Sequence, residues 1–344
     1  MNVPRVIKGQ IAMKVEVTPG TDVFAGTYTS ADIIPVIADS IRYSQDPNEI
    51  PNMMTAGLMG RAPSILGATL ARVDFSTYFR GAGAAYDDSP EVVPTTIDRP
   101  LRCCRMGRTF TNPPPASPSS LTYAPTDTEE SFTLYIVDDV PSGNAHSIQM
   151  VGCIGTHSWS ITAGGVMRFD FTIFGALEEM ADISYVAGTL TNTPAYPTFK
   201  SAAFQIGSAN YAPRFRDISF TQNATVRPVP APNASSGVAG FATMDREPRL
   251  TFDPEMDRQA NSGWWAMLRD GAPMNDCTFK VGVAGGSPGW NQIKMRFPSN
   301  GSSAQLQLTS QTRSSRDGLV TLPSTLLATL ATGNDDFSYL LDNV

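Results

Sequence analysis

Similar sequence elements recur in the same order in the two halves of this 344-residue chain. Residues 59–64 (MGRAPS) are similar to residues 244–249 (MDREPR), and each copy is followed by a helix-like piece and two strand-like runs. Repetition in a fixed order, with loops of unequal length, is typical of a chain built from copies of one module. We therefore predict two modules, residues 1–190 and residues 191–344, and a role in an object built by repetition.

The composition favours β-structure. Apolar residues make up 41% of the chain and charged residues only 17%, and there are 28 Gly and 27 Pro, which suits many short strands and turns better than long surface helices. We predict a mainly β fold of two tandem β-sandwich modules, each with a short flanking helix. The helices are predicted at residues 98–106, with Asp98 as the cap, and at residues 261–268.

Two strand predictions follow from alternating side chains. Residues 132–137 place Phe132, Leu134 and Ile136 on one side of a strand. Residues 166–174 follow a Gly-containing turn and alternate between apolar and polar side chains. Here we predict a core side and an open side, with Phe169, Phe171 and Ile173 facing the core and Arg168, Asp170 and Thr172 facing outwards.

Two polar, proline-broken stretches lie at corresponding places in the halves, at residues 44–57 and 221–237. Long connections without regular structure are uncommon in compact proteins and tend to be functional. We predict that both stretches are long loops that make contacts between molecules.

Catalytic chemistry is poorly represented. The chain has two histidines, and His146 falls in a predicted hairpin turn, while Cys153 and His157 lack nearby partners for a zinc site. No nucleophile elbow or phosphate-binding loop accompanies them. We expect no enzyme activity, no catalytic residues, no metal and no cofactor. The four cysteines have no disulfide-framework spacing, and we expect them to be free.

The formal net charge of −7 argues against a protein that grips a nucleic-acid backbone. The chain shows no signal-peptide pattern and no long apolar run of membrane-spanning length. We expect a soluble protein that is not exported and has no membrane segment.

Residues 158–177 (SWSITAGGVMRFDFTIFGAL), together with residues 237–256 ahead of a Trp-bearing helix, resemble the major tail tube proteins of long-tailed, non-contractile bacteriophages. The resemblance covers most of the chain and rests on diffuse sequence patterns, without catalytic residues. It implies a virion protein, assembled in the cytoplasm of a bacterial host, whose inner sheets join into rings that stack into a conduit for DNA. A tandem member is expected to form a homotrimeric ring with pseudo-sixfold symmetry.

The same resemblance implies partners and sites. Tape-measure, tail terminator and distal tail proteins are the expected partners, and phage DNA would pass through without specific binding. The candidates for facing the lumen are Asp138, Asp139 and Asp170. The candidates for contacts between rings are Asp46, Asn48, Ile50, Asn223, Val226 and Pro228.

Two alternatives remain open at this stage. The chain could be a distal tail or baseplate ring protein of the same fold. It could also be a two-domain carbohydrate-binding β-sandwich protein, with Trp264, Trp265 and Trp290 as stacking platforms.

Overall fold

The described residues fold mainly into antiparallel β-strands, which confirms the prediction of a mainly β fold. The structure is a computed structural model. It describes residues 9–50, 64–111, 119–128, 130–139, 144–189, 194–199, 204–206, 214–233, 237–256, 268–269, 277–282, 290–297, 306–330 and 333–342. The helix predicted at residues 261–268 lies almost wholly outside these ranges.

The described part of the first half contains one short α-helix, α1 (Asp98–Cys103), and most of the long strands. In chain order its strands are β1 (Gln10–Val15), β2 (Ile33–Ile34), β3 (Arg42–Ile50), β4 (Ile65–Tyr78), β5 (Asp87–Asp88), β6 (Glu91–Val92), β7 (Met106–Thr111), β8 (Ser120–Pro125), β9 (Phe132–Asp139), β10 (Asn144–Thr162) and β11 (Arg168–Ser184).

Shorter strands make up the described part of the second half. They are β12 (Phe204–Ile206), β13 (Phe215–Thr221), β14 (Ala224–Pro230), β15 (Val238–Arg246), β16 (Arg249–Pro254), β17 (Cys277–Val281), β18 (Ile293–Phe297), β19 (Leu306–Gln311), β20 (Ser314–Arg316), β21 (Leu319–Thr321), β22 (Ser324–Ala328) and β23 (Ser338–Asp342).

Two sheets enclose the main core. The long sheet runs in the order β19-β22-β16-β13-β10-β11-β4-β3, with β9, β1 and β2 branching from β10. The second sheet has the order β12-β17-β18-β23-β8-β7. Side chains from both sheets meet in one apolar cluster, in which Trp159 of β10 stacks on Phe220 and Phe279 at 5.9 and 5.7 Å. This packing of one sheet on the other is a β-sandwich arrangement.

Both sheets contain strands from both halves of the chain. In the long sheet β10 pairs with β13, and in the second sheet β23 lies between β18 and β8. The two halves therefore share one core, and the division at residue 190 stays a prediction about repeated units.

The long sheet forks along one edge of β10, where β9 pairs with the beginning of the strand and β13 with its end. A buried carboxylate, Glu16, lies at the fork. It accepts hydrogen bonds from the backbone N–H of Gly152 (2.8 Å) and Gly20 (2.7 Å) and from the hydroxyls of Ser131 and Thr133. Four donors compensate the desolvation of a charge that would otherwise be costly to bury.

Asp98 does not cap α1, so that prediction was wrong. The residue before it, Ile97, occupies the cap position, and the carboxylate of Asp98 turns into the core. There it accepts a hydrogen bond of 2.6 Å from the Tyr123 hydroxyl and pairs with Arg108 at 3.2 Å. The carboxylate fastens the helix to β7 and β8, which gives it a tertiary role that sequence spacing alone does not reveal.

Candidate functional site

One face of the long sheet is polar and open. Along β11, side chains alternate between this face and the core, because successive residues of a strand point to opposite sides. The alternation confirms the two predicted sides: Phe169, Phe171 and Ile173 are buried, Arg168 is exposed, and Asp170 and Thr172 are half-buried.

Strand register extends this polar face across the sheet. Two rows each cross six strands. The first row contains Ser76, Asp170, Ser158, Thr221, Arg249 and Leu327. The second contains Tyr78, Arg168, Ser160, Ser219, Thr251 and Thr325. Hydroxyl groups supply half of the first row and most of the second, so the face is mainly hydrophilic with few charges.

Ion pairs engage several of the charges on this face. Asp170 accepts hydrogen bonds from Arg168 Nε at 2.7 Å and from the Ser76 hydroxyl at 2.6 Å. Arg72 pairs in the same way with Asp74 at 2.9 Å. These pairs are partly exposed and add little to stability. Their main consequence is that neither sign of charge dominates this region.

Asp138 and Asp139 lie away from Asp170, at the far end of β9. The register places Asp138 opposite His146 and Asp139 opposite Ala145, near the start of β10, whereas Asp170 is opposite Ser158 near its end. Burial raises the pKa of Asp138 above its ordinary value. As neighbours in a strand, the two aspartates point to opposite faces. His146 is part of β10, so its predicted position in a turn was wrong.

Among the described residues, β3 and β19 are the edge strands at the two ends of the long sheet. Edge strands carry backbone donors and acceptors that can pair with another strand. Inside the chain, β13 and β10 show what such a junction looks like. Trp159 is opposite Phe220, Ile161 is opposite Ile218, and the Gln222 N–H donates to the His157 carbonyl oxygen at 3.0 Å.

A buried polar network crosses the core beside this junction. The Tyr339 hydroxyl donates to His157 Nε2 at 2.7 Å, and Nδ1–H of the same ring donates to Gln222 Oε1 at 3.0 Å. Gln222 in turn donates to the Cys104 carbonyl oxygen at 2.8 Å. Burial lowers the pKa of His157 to about 3, so the ring is neutral and links both sheets.

Four neighbouring strands from each half of the chain have matching arrangements. We call β10, β11, β4 and β3 the first block and β19, β22, β16 and β13 the second block; the strands of each are adjacent in this order. Residues 41–45 (IRYSQ) match residues 218–222 (ISFTQ), and residues 72–76 (RVDFS) match residues 249–253 (RLTFD).

Register supports the same correspondence. Arg42 lies opposite Asp74 as Ser219 lies opposite Thr251. The Phe79 N–H donates to the Met167 carbonyl oxygen at 2.9 Å, and the Met256 N–H donates to that of Val320 at the same distance.

The stretches predicted as long loops contain paired strands, so the loop prediction was wrong for these parts. Residues 42–50 form β3 and pair with β4, and residues 224–230 form β14 and pair with β15. Proline did not prevent pairing, because it is tolerated in edge strands. Residues 51–57 lie outside the described part of the chain.

The six residues predicted as contacts between rings belong to these two hairpins or adjoin them. Asp46, Asn48 and Ile50 are in β3. Asn223 precedes β14, is exposed and has a φ of 51°, while Pro228 is half-buried in β14. Val226 packs inwards against a small apolar cluster with Phe174 and Phe241.

Of the tryptophans considered as sugar platforms, only Trp290 is within the described residues. Its ring packs edge-on against buried Tyr86 at 5.9 Å, and its carbonyl oxygen accepts the Tyr86 hydroxyl at 3.1 Å. These contacts give Trp290 a packing role.

Within the described ranges, no helix is both long enough and apolar enough to cross a membrane. The same residues contain no group of three or more His, Cys, Asp or Glu that could hold a metal ion.

In the part of the chain that the structure describes, a broad polar sheet face lies between two edge strands, and the class is that of a β-rich protein. The family model described as phage tail tube protein matches residues 7–330, which is almost the whole chain. The chain belongs to the phage tail tube protein family, and its role is a structural one in the tail of the virion. No curated protein matches it.

Proposed function

We propose that copies of this chain join edge to edge into rings, and that the rings stack into a tube through which phage DNA passes. In each ring, β3 of one copy pairs with the β19–β20 segment of the next, as β13 pairs with β10 inside the chain. The polar face of the long sheet lines the passage. Three copies would supply six blocks and hence the pseudo-sixfold ring.

One observation supports this proposal: the two blocks are already joined by β13 and β10, and among the described residues no strand pairs with the outer edge of β3 or of β19. A contact between unlike surfaces propagates from copy to copy, and it closes into a ring if the rotation fits. The junction inside the chain is therefore one step of the proposed ring.

The polar face suits a passage for DNA. Proteins bind DNA mainly through lysine and arginine contacts to phosphate, and each such contact raises the affinity for DNA. Arg168 and Arg72 are engaged by aspartates, and the chain has a net charge of −7. A surface of hydroxyls and neutralised cations would let the duplex slide.

A designed disulfide tests the proposed edge contact. Inside the chain, Ser219 lies opposite Ser160. Arg42 is the counterpart of Ser219, and Ser314, which lies opposite Thr321, is the counterpart of Ser160, which lies opposite Arg168. Arg42 of one copy should therefore lie opposite Ser314 of the next. Directly opposed residues bring their Cβ atoms within reach of a disulfide. We expect R42C/S314C tubes to form covalent multimers upon oxidation, visible on non-reducing gels. The four native cysteines are buried and should contribute little background.

The matched control is R42C/S310C, in which the second thiol is shifted along the strand by roughly 13 Å. Multimers from both pairs at equal yield, or from neither while tubes still form, would reject this edge pairing. Electron micrographs of the unmodified protein separate a tube from a single ring, and isolated rings alone would favour the distal tail or baseplate role.

Charge reversal at Asp170 tests the lining of the passage. In D170K, the new lysine would lie beside Arg168, and both cations would face the DNA phosphates. We expect tubes of normal appearance and DNA ejection that is several-fold slower, with the largest delay at low salt. Ejection timed by dye release from virions provides the measurement, and D170N is the neutral control. Equal rates for D170K and wild type at low salt would contradict the assignment.

The other finer assignments remain part of this proposal. Asp138 and Asp139 remain lumen candidates away from Asp170, and only one of them can face the passage because strand neighbours point to opposite faces. The exposed Asn223 and half-buried Pro228 remain candidates for contacts between rings. Asp46, Asn48 and Ile50 keep that role through their place in the β3–β4 hairpin. Tape-measure, tail terminator and distal tail proteins are the proposed partners at the passage and the tube ends.

A further inference from the structure

The β14–β15 hairpin folds over the neighbouring block instead of extending the long sheet. It forms a separate two-stranded sheet, and its Phe241 stacks on Phe174 of β11 at 6.4 Å. Val226 and Val238 join the same apolar cluster, which includes Ile154 of β10. This hairpin, which follows the second block's β13, therefore packs on the first block. We call the surface of the first block that it contacts, around Ile154 and Phe174, the seat.

Backbone contacts make the seat specific. The Ala224 N–H donates to the Thr156 hydroxyl at 3.2 Å. Gly152 has a φ of 61°, and a Cβ atom added to it would lie 3.3 Å from the Cα of Gly240. A side chain at residue 152 would be strained by the backbone and crowded by the hairpin. The two chain segments thus approach closely on both sides of the apolar cluster.

The first block has an equivalent hairpin that stays in the plane of the sheet. Its strands, β3 and β4, pair in the same register as β14 and β15: Glu49 is opposite Leu66, as Val226 is opposite Thr243. Both hairpins also have a register shift near this position. Among the described residues, β3 is the last strand on its side of the sheet, so no further block lies beyond it.

We propose that, in the assembled ring, the β3–β4 hairpin of one copy lies over β19 and β22 of the next copy. This inference rests on the proposed edge-to-edge ring and adds a second contact between the same two copies. The equivalent backbone bonds make Val320 the counterpart of Met167, and the same number of residues further along the strands makes Leu327 the counterpart of Phe174. Gln307 is the counterpart of Ile154, because Gln307 lies opposite Leu327 as Ile154 lies opposite Phe174. Ser64 is the counterpart of Phe241.

The chemistry of these residues fits a contact between separately folded copies. Gln307 and Ser64 are exposed, and Leu327 is half-buried on the open face opposite Arg249. The seat inside the chain is apolar, whereas its counterpart between copies is mostly polar with one leucine. Interfaces between independently folded partners are generally more polar than a domain core.

Crosslinking tests this contact. We expect S64C/L327C tubes treated with a short bifunctional thiol reagent to give a ladder of covalent products that ends at the number of copies in one ring. S64C/S160C is the control, because Ser160 lies on the same open face but three strands away from Leu327. The control should give at least ten-fold less product.

The outcomes separate this inference from the proposed function. Multimers from R42C/S314C, with none from S64C/L327C, would overturn the hairpin contact and leave the ring standing. A ladder that continues beyond one ring would show that Ser64 reaches Leu327 of the neighbouring ring and not of the next copy in its own ring, and would overturn the lateral contact. If R42C/S314C also fails in assembled tubes, the edge pairing itself is wrong.

Discussion

Replacing Gln45 with proline is expected to abolish ring and tube formation while leaving a folded, soluble chain. Gln45 is the counterpart of Gln222, whose backbone N–H donates to the His157 carbonyl oxygen across the junction of the two blocks. In the proposed ring, the Gln45 N–H makes the equivalent bond to the next copy. Proline has no N–H, and its ring occupies the space that the partner strand needs.

The folded chain should tolerate this change. Gln45 is exposed and lies in an edge strand, where proline is tolerated if its missing N–H faces solvent. We expect the thermal midpoint of Q45P to stay within a few degrees of wild type. Assembly, measured by sedimentation and by electron microscopy, should fall below detection.

Gln45→Ala is the matched control, because it removes the side chain and keeps the N–H. It should form tubes at close to the wild-type yield. Tubes of normal length from Q45P would sink the proposed edge contact, and loss of tubes in both variants would point to the side chain instead.

Acidification should destabilise the chain through His157. The folded-state pKa is about 3, well below the ordinary value of 6.5, since burial disfavours the charged ring. The unfolded chain therefore binds a proton below about pH 6.5 that the folded chain does not. Stability from this group is fully present above that pH and is lost progressively down to the folded-state pKa.

The expected size is about 1.4 kcal/mol per pH unit, or roughly 3 kcal/mol between pH 6.5 and pH 4. Denaturant unfolding across this range measures the total slope, to which carboxylates also contribute. In H157Q, an amide can donate to Gln222 and accept from Tyr339 without titrating, so the difference between the two slopes isolates the histidine. Identical slopes for wild type and H157Q would contradict this account.

Local pattern was sufficient to predict part of this fold. Alternating apolar residues placed Phe169, Phe171 and Ile173 on the core side of β11, because a strand with one buried face and one open face alternates apolar and polar residues. The scarcity of charge and the abundance of Gly and Pro indicated β-structure. The polar side of β11, with Asp170 on it, followed from the same alternation.

Pairing between distant strands was much harder to predict. Residues 42–50 contain proline, and their place in the sheet depends on β4 rather than on local propensity. Residues 44–57 and 221–237 were correctly placed at corresponding positions of the two halves. Local sequence did not show that each stretch contains a strand that pairs with the strand after it.

Asp98 and His157 show a second limit. A sequence shows an aspartate before a helix and a histidine in a strand, but not the partners that tertiary packing supplies. Tyr123 and Arg108 for the first, and Gln222 and Tyr339 for the second, are far away along the chain. Such long-range polar contacts decide whether a titratable group is a cap, a catalyst or a core link.

The position of β23 affects how the protein is made. A ribosome synthesises this strand after all the other described ones, yet it inserts between β18 and β8 and completes the sheet that covers the core. A nascent polypeptide would keep that layer split, with apolar surface accessible, until translation has passed residue 342. Folding is therefore delayed to a late step of synthesis, and the emerging chain is exposed to chaperones and to premature association.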